Sequence, residues 1–316
     1  MAKKRLLTGL QPSGALHIGN YFGALRPFLD TYGEFESFLM IADYHALTTL
    51  KNPKELNENI MGVALDYLGA GIDPASATIF QQSRVSQHTE LAWIFECLVT
   101  VPFLSQAHAY KDKVAKGLEA NAGLFNYPML MAADILLYDT DVVPVGKDQK
   151  QHLEYAREAA AKFNNAFGET FKEPGELIVE SVATVPGTDG QKMSKSYGNT
   201  IPLFGTKDEI AKSVMSMVTD STGDKPEHVY AIHCLFKTEA ELTPIYESGR
   251  RNYKALKEAL IGDIEAFVAP MRERRTEYAA QPEKVKQILE EGSEKARGIA
   301  EAKMKMAREK IGVTLA

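Results

Sequence analysis

The sequence predicts an α/β fold, a doubly wound parallel sheet with helices on both faces, followed by an α-helical C-terminal domain. Two observations indicate this fold class. Over the first two-thirds of the 316 residues, short apolar runs alternate with longer helical patterns, as in parallel sheets. Beyond about Pro202 the strand-like runs stop and only helical patterns follow. We therefore expect two domains, residues 1–201 and 202–316.

The predicted elements follow one another along the chain. Residues 6–8 form a short apolar run that predicts a first buried strand, and Asn52 before Pro53 favours a helix start that Gly69 or Gly71 would end. Further strands are predicted at 37–42, 77–80, 142–145 and 177–185, and further helices at 129–138, 148–163, 207–217, 253–267 and 282–311.

Composition excludes several classes of protein. The two cysteines, Cys97 and Cys234, lie far apart in apolar stretches, which argues against a disulfide framework and a cysteine metal site. The apolar runs are too short for a signal peptide or a membrane span, so we expect a cytoplasmic protein without a structural metal or membrane contact. A formal net charge of −6 leaves RNA contact to local patches, such as the arginines at 272, 274 and 275.

A turn after the first predicted strand has the features of a phosphate site. Gly9, Pro12 and Gly14 precede a helix that we expect to begin near Gly19. Backbone N–H groups at such a helix start face an anion, and His17 and Asn20, three residues apart, can both donate to it. A structural histidine is the alternative. The segment carries neither a P-loop nor a dinucleotide-binding glycine pattern.

A second basic segment, Lys-Met-Ser-Lys-Ser at 192–196, follows about 170 residues later. It holds two ammonium groups and two hydroxyls between Gly190 and Gly198, which suits a mobile loop that closes on a triphosphate. Alone it could equally be a solvated basic turn. The order and separation of the two segments favour a paired phosphate site.

An almost wholly apolar segment at 127–138 carries one carboxylate, Asp134. A buried, unpaired Asp would cost several kcal/mol, so it must face a partner, a cavity or a ligand. At helical spacing Tyr127, Met131, Asp134 and Tyr138 share a face. That face suits a flat aromatic ligand with one N–H donor, such as an indole. Pairing of Asp134 with an arginine or a helix cap is an equal alternative.

Polar residues also follow two predicted strands. Residues 146–149, Gly-Lys-Asp-Gln, stand between a strand and a helix, where a glycine permits close approach of the backbone to a nucleotide. His45 comes at the end of the second predicted strand, where parallel sheets form their ligand crevice. The other histidines considered, His88, His108, His228 and His233, show no metal-binding spacing.

With these segments assembled, the chain resembles the bacterial-type tryptophanyl-tRNA synthetases, a class I family, over nearly its whole length. Four motifs carry the resemblance: Gly-x-Gln-Pro-Ser-Gly with His-x-Gly-Asn at 9–20, Met-Ala-Ala-Asp-Ile-Leu-Leu-Tyr at 131–138, Val-Pro-Val-Gly-x-Asp-Gln-x-x-His at 143–152, and the lysine segment at 192–196. The resemblance implies a Rossmann-like catalytic domain that activates L-tryptophan with ATP and Mg²⁺. It also implies an anticodon-binding domain for tRNA(Trp) at 202–316, and a homodimer.

Residue roles follow from the same resemblance. The ATP site would comprise Gln11, Pro12, Ser13, Gly19, Asn20, Gly146, Lys147, Asp148, Val185, Lys192, Met193, Ser194, Lys195 and Ser196. The tryptophan site would comprise Leu7, His45, Tyr127, Met131, Asp134 and Gln149, with Asp134 accepting the indole N–H. His17, Lys192 and Lys195 would stabilise charge on the phosphates during catalysis.

Two residues depart from common patterns. Leu7 stands where relatives often place an aromatic residue beside the indole, and Asn20 replaces the second histidine of the general class I motif. Whether Lys111 or Lys113 approaches the phosphates stays open. Two other functions also stay open: a tyrosine–tRNA ligase, since a carboxylate accepts from a phenol as well, and a non-catalytic paralogue, which would need neither phosphate-binding segment.

Overall fold

The computed structural model describes residues 3–117, 119–145, 150–178, 185–218 and 225–314. Its strands are β1 Arg5–Leu10, β2 Glu36–Ile41, β3 Ala77–Gln81, β4 Val142–Val145 and β5 Gly175–Ile178. Its α-helices are α1 Ile18–Asn20, α2 Arg26–Thr31, α3 Asp43–Ala46, α4 Pro53–Gly69, α5 Gln87–Glu96, α6 Val101–Leu104, α7 His108–Ala115, α8 Ala122–Leu136, α9 Lys150–Phe167, α10 Lys207–Met215, α11 Glu227–His233, α12 Glu239–Ser248, α13 Tyr253–Ala279 and α14 Pro282–Ile311. A π-helical segment, Tyr21–Leu25, joins α1 to α2.

The sheet is parallel and its strand order is β3-β2-β1-β4-β5, which confirms the predicted doubly wound α/β fold. Along the chain, β2 and β3 follow on one side of β1, and β4 and β5 then follow on its other side. Sheets of this order bind ligands at the carboxyl ends of the strands where the order reverses. The ends of β1 and β4 therefore mark the expected position of the site.

Several predicted boundaries match the structure because local signals fix them. The side chain of Asn52 accepts hydrogen bonds at the start of α4, and Pro53 occupies its first turn. Helix α14 spans the predicted residues 282–311 and ends at Gly312, which is left-handed with φ 80°.

The largest differences from the predicted boundaries are at three elements. Strand β5 begins at Gly175 and ends at Ile178, and Val185, predicted as its last residue, lies outside it; residues 179–184 lie outside the described residues. Helix α13 continues past Phe267 to Ala279, through Pro270, because its apolar face stays buried at Val268 and Met271. Helix α8 starts at Ala122, earlier than predicted, where the Asn121 side chain caps it.

One hydrophobic core cluster contains residues from both predicted domains, for example Leu6 and Leu68 with Leu260 and Val285. Helix α13 packs along α4, where a hydrogen-bonded ion pair joins Arg275 Nε to the buried Asp66 at 2.6 Å. Two-domain organisation with a boundary after residue 201 stays a prediction, and the two portions share this core.

The arginines suggested as an RNA-contacting patch make contacts within the chain. Arg275 pairs with Asp66, Arg274 donates to the Gly69 carbonyl at 3.1 Å, and Arg272 makes a bidentate pair with Glu265 at 2.8 Å. Substitution there would disturb packing as well as any RNA contact.

Helix α14 covers β3, the edge strand of the sheet. A Cβ at Gly292 would overlap the carbonyl oxygen of Ile79, so a glycine is required at this close approach. The Gln81 N–H donates to Ser293 Oγ at 3.3 Å. Further along α14, the buried Lys303 donates to the Thr170 carbonyl at 3.0 Å. Among the described helices, none is long and apolar enough to cross a membrane.

Candidate active site

A cavity of about 280 Å³ opens at the carboxyl ends of β1 and β4, where the strand order reverses. Its lining residues come from β1, β2, β4, α3, α8, α9 and the turn after β1: Leu7, Thr8, Gly9, Gln11, Met40, Ala42, His45, Tyr127, Met131, Asp134, Ile135, Val143, Pro144, His152 and Leu153. The volume lies just below the usual range for ligand pockets. Five predicted tryptophan-site residues, Leu7, His45, Tyr127, Met131 and Asp134, line this one cavity.

Asp134 is 2% exposed and is held by three side chains. Gln82 Nε2 donates to Oδ1 at 2.8 Å, and His88 Nδ1 lies 2.6 Å from the same oxygen. His45 Nε2 lies 2.9 Å from Oδ2. Burial opposes the charged form, but the close approach of His88 and the hydrogen bond from His45 outweigh it and lower the pKa of Asp134 to about 2. Asp134 is therefore an ionised acceptor at neutral pH, with both a partner and a cavity.

The partners of Asp134 are neither an arginine nor a helix cap, as one alternative supposed. Gln82 and His88 are completely buried, and sequence reasoning missed both. Two features of the sequence could have indicated these partners. A buried carboxylate requires hydrogen-bond donors, and the polar pair Gln87-His88 stands at the start of the apolar helix α5.

Tyr138 does not line the cavity, although helical spacing predicted it on the same face as Tyr127, Met131 and Asp134. It is completely buried behind Asp134, where its ring packs on Phe38 and its hydroxyl lies 2.8 Å from His88 Nε2. Tyr127, in contrast, lines the cavity between two histidines. Its ring lies 6.4 Å from that of His45, and its hydroxyl lies 3.4 Å from Nε2 of His152.

The turn after β1 is closed by a reciprocal cap. The Asn20 N–H donates to His17 Nδ1 at 3.3 Å, and the His17 N–H donates to Asn20 Oδ1 at 3.1 Å. Burial and the nearby charge of Lys195 lower the pKa of His17 to about 4. His17 is thus neutral at pH 7, with its proton on Nε2. It can donate one hydrogen bond to an anion, but it brings no charge.

The lysine segment 192–196 lies directly on this turn. The Gly19 N–H donates to Met193 Sδ at 3.3 Å, and Lys195 Nζ donates to the Ser13 carbonyl at 3.0 Å. Backbone hydrogen bonds fix the base of the segment, from Ile18 N–H to the Ile201 carbonyl and from Leu203 N–H to the Leu16 carbonyl, both at 3.0 Å. The two segments predicted to hold phosphates therefore meet in space.

Asn199 holds the shape of the lysine segment from within. It is 2% exposed; its Oδ1 accepts from the Ser194 N–H at 2.8 Å and its Nδ2 donates to the Lys192 carbonyl at 3.1 Å. Gly190 and Gly198 flank the segment with φ of 82° and 65°, a conformation that favours glycine. Ser194 and Ser196 pair through their hydroxyls at 2.8 Å.

The remaining predicted nucleotide residues have different outcomes. Gln11 lines the cavity, and the buried Val185 accepts from the Met193 N–H at 2.9 Å, so its backbone borders the lysine segment. Pro12 lies in the turn between β1 and α1. The predicted residues Gly146, Lys147, Asp148 and Gln149 lie outside the described residues. Both Lys111 and Lys113 lie on α7, and the choice between them stays open. Within the described ranges, no group of three His, Cys, Asp or Glu side chains could hold a metal ion.

Known proteins match this chain along almost all of its length. The model of the family "tRNA synthetases class I (W and Y)" matches residues 2–296. The chain is 49% identical over 319 residues to the tryptophan–tRNA ligase of Fusobacterium nucleatum, with 98% of each chain covered. It is 45% identical over 318 residues to that of Rhodopirellula baltica, with 98% of this chain and 99% of the relative covered.

A solved structure has the same fold. The tryptophanyl-tRNA synthetase of Campylobacter jejuni, complexed with ADP and tryptophan, is similar with a TM-score of 0.90 at 44% identity, and the match covers 98% of this chain and 99% of that one. These similarities agree with the parallel sheet and with the cavity where its strand order reverses. The chain therefore belongs to the class I tRNA synthetases for tryptophan and tyrosine.

Proposed function

We propose that this chain is a tryptophan–tRNA ligase, which activates L-tryptophan with ATP to tryptophanyl-adenylate and transfers the amino acid to tRNA(Trp). One observation carries the proposal: the turn at 11–20 and the lysine segment at 192–196 contact each other at the end of the sheet where the cavity around Asp134 opens. A phosphate site beside an aromatic amino-acid site is what adenylate formation requires.

Asp134 would accept the indole N–H of tryptophan. A carboxylate has about four acceptor positions, and the contacts from Gln82, His88 and His45 leave one on Oδ2. Leu7, Met131 and Tyr127 would pack on the ring, and His45 would border it. Gln149 would complete the amino-acid site by the family resemblance. Because a phenol could also donate to Asp134, the choice of tryptophan over tyrosine depends on the relatives, which at 45–49% identity are tryptophan enzymes.

The phosphates of ATP would lie between the two docked segments. The tryptophan carboxylate attacks the α-phosphate, and charge moves toward the departing pyrophosphate. Neutral His17 donates a hydrogen bond, while Lys192 and Lys195 supply positive charge to the phosphates as it develops. ATP enters as its Mg²⁺ complex, and the ion neutralises part of the phosphate charge. In the second step a hydroxyl of the terminal adenosine of tRNA attacks the adenylate carbonyl and AMP leaves, so no covalent enzyme intermediate is required.

The wider setting of the enzyme belongs to the same proposal. The helices after residue 201 would contact the anticodon of tRNA(Trp), and the enzyme would work in the cytoplasm as a homodimer. Exposed apolar side chains support a dimer contact: Trp93 and Val101 are 67% and 68% exposed, and Leu47 is 43% exposed.

Amino-acid-dependent ATP–pyrophosphate exchange, run with tryptophan and tyrosine side by side, tests the proposal. We expect exchange with tryptophan and little with tyrosine. Faster exchange with tyrosine would assign the chain to the tyrosine branch of the family. Exchange with neither would favour the non-catalytic paralogue, because that reading requires no adenylate.

A further inference from the structure

Behind Asp134, on the side away from the cavity, lies a buried polar chain. His88 Nδ1 is 2.6 Å from Asp134 Oδ1, and His88 Nε2 is 2.8 Å from the Tyr138 hydroxyl. His88 and Tyr138 are completely buried. Tyr138, His88 and Asp134 therefore form one relay, which we call the Asp134 relay.

The direction of the hydrogen bonds in the relay follows from the state of Tyr138. Burial, and then the charge of Asp134, raise the pKa of Tyr138 well above its ordinary value, so its hydroxyl keeps its proton. That O–H can donate to His88 Nε2. A neutral imidazole that accepts on Nε2 carries its proton on Nδ1, the nitrogen that faces Asp134.

The relay divides the two oxygens of Asp134 between the protein and a ligand. Gln82 Nε2 donates to Oδ1 at 2.8 Å, and His88 Nδ1 lies 2.6 Å from the same oxygen in close contact, outside hydrogen-bond alignment, so neither side of Oδ1 is open to a ligand. Oδ2 receives only His45 among the described residues, at 2.9 Å, and so keeps one position for a ligand donor. Because Oδ1 is bonded to Gln82 and lies against His88, the carboxylate cannot turn about its bond to Cβ without losing both contacts.

We propose that His88 is a positioning residue for tryptophan recognition: it fixes the Asp134 carboxylate so that Oδ2 accepts the indole N–H, and Tyr138 fixes the tautomer of His88. This inference rests on the proposed function. Fixing a ligand-binding group through a buried second partner is the arrangement that makes such a group precise.

Three single substitutions at or near the relay separate hydrogen bonding from packing. His88→Leu removes the donor and keeps apolar bulk, whereas His88→Asn keeps an N–H close to the position of Nδ1. Phe80→Leu is the matched packing control, because Phe80 stacks on the His88 ring at 6.1 Å and contacts the Tyr138 ring at 5.5 Å without a polar contact. Each variant is measured for tryptophan affinity by calorimetry and for KM and kcat in pyrophosphate exchange.

We expect His88→Leu to weaken tryptophan binding and raise its KM by about tenfold or more, with the KM for ATP unchanged. His88→Asn should recover most of this loss, and Phe80→Leu should bind tryptophan as the wild type does. Equal losses in His88→Leu and His88→Asn, or an equal loss in Phe80→Leu, would mean that His88 acts through packing alone, and would overturn the inference.

If His88→Leu does not fold, as judged by circular dichroism, Tyr138→Phe decides the question. It removes one hydroxyl and preserves the ring. A raised tryptophan KM in the folded Tyr138→Phe protein supports the relay, and an unchanged KM overturns it.

Failure of the proposed function is a separate result. A wild-type chain that binds tryptophan but exchanges no pyrophosphate would contradict the proposed activity, and the calorimetric series would still decide the role of His88. A wild-type chain that does not bind tryptophan would overturn both.

Discussion

Replacing Lys195 with alanine should slow adenylate formation by about 30- to 1000-fold and leave tryptophan affinity near the wild-type value. In the structure, the exposed side chain of Lys195 donates a hydrogen bond from Nζ to the Ser13 carbonyl at 3.0 Å. Losing that bond changes the free energy of unfolding by about 1 kcal/mol at most. The contact with the phosphates forms as charge moves to the leaving pyrophosphate, so its loss, about 2–4 kcal/mol, falls on the rate.

Single-turnover adenylate formation and equilibrium tryptophan binding, measured on the same preparation, separate the rate from the affinity. Lys207→Ala is the matched control, since Lys207 is an exposed lysine at the start of α10, outside both phosphate segments. A wild-type rate in Lys195→Ala would refute the assigned role. Tryptophan affinity lost in proportion to the rate would also refute it, because the lysine would then stabilise the ground state.

Three further predictions concern Asp134, His17 and Lys303. Asp134→Asn should raise the KM for tryptophan by about 10- to 100-fold and lower the free energy of unfolding by about 1–3 kcal/mol. The reason is that the amide group of the asparagine must face at least one of the buried donors. An unchanged KM in exchange assays would contradict the binding role. Burial lowers the pKa of His17 from 6.5 to about 4, so between these pH values the unfolded chain binds a proton that the folded chain does not bind. The free energy of unfolding should therefore fall as the pH drops through that range. Urea titrations at several pH values should show a shallower fall in His17→Gln, and equal slopes would remove His17 as the cause. Lys303→Met should lower the free energy of unfolding by about 1–3 kcal/mol, because the Thr170 carbonyl loses a buried charged donor; urea midpoints equal to the wild type would show that this contact contributes nothing.

The sequence predicted those features that short-range signals determine. Asn52 and Pro53 define a helix start locally, and Gly312 defines a helix end, so these boundaries needed no tertiary information. The alternation of apolar runs predicted a parallel sheet for the same reason. Helix α13 was underestimated because Pro270 is an unfavourable residue inside a helix, and only burial against the rest of the core explains its tolerance there.

Contacts between distant segments could not be predicted in this way. Nothing near Asp134 in the sequence shows that its partners are Gln82, 52 residues earlier, and His45, 89 residues earlier. The sequence suggested that Arg275 belongs to a basic patch for RNA contact, whereas its partner in the structure is Asp66, 209 residues away. Helical spacing predicted that Tyr127, Met131 and Asp134 share a face, the family resemblance added Leu7 and His45 to them, and the structure supplies the geometry.

The covering of β3 by α14 has a consequence for how the chain folds during synthesis. An uncovered edge strand presents free N–H and C=O groups that can pair with another chain. The helix residue that meets this edge, Ser293, is separated from Gln81 by 212 residues. At roughly 5–20 residues per second, a ribosome needs about 10–40 s to make that stretch. Through this interval the nascent sheet has an open edge, which makes it a binding site for chaperones and a point of entry for aggregation.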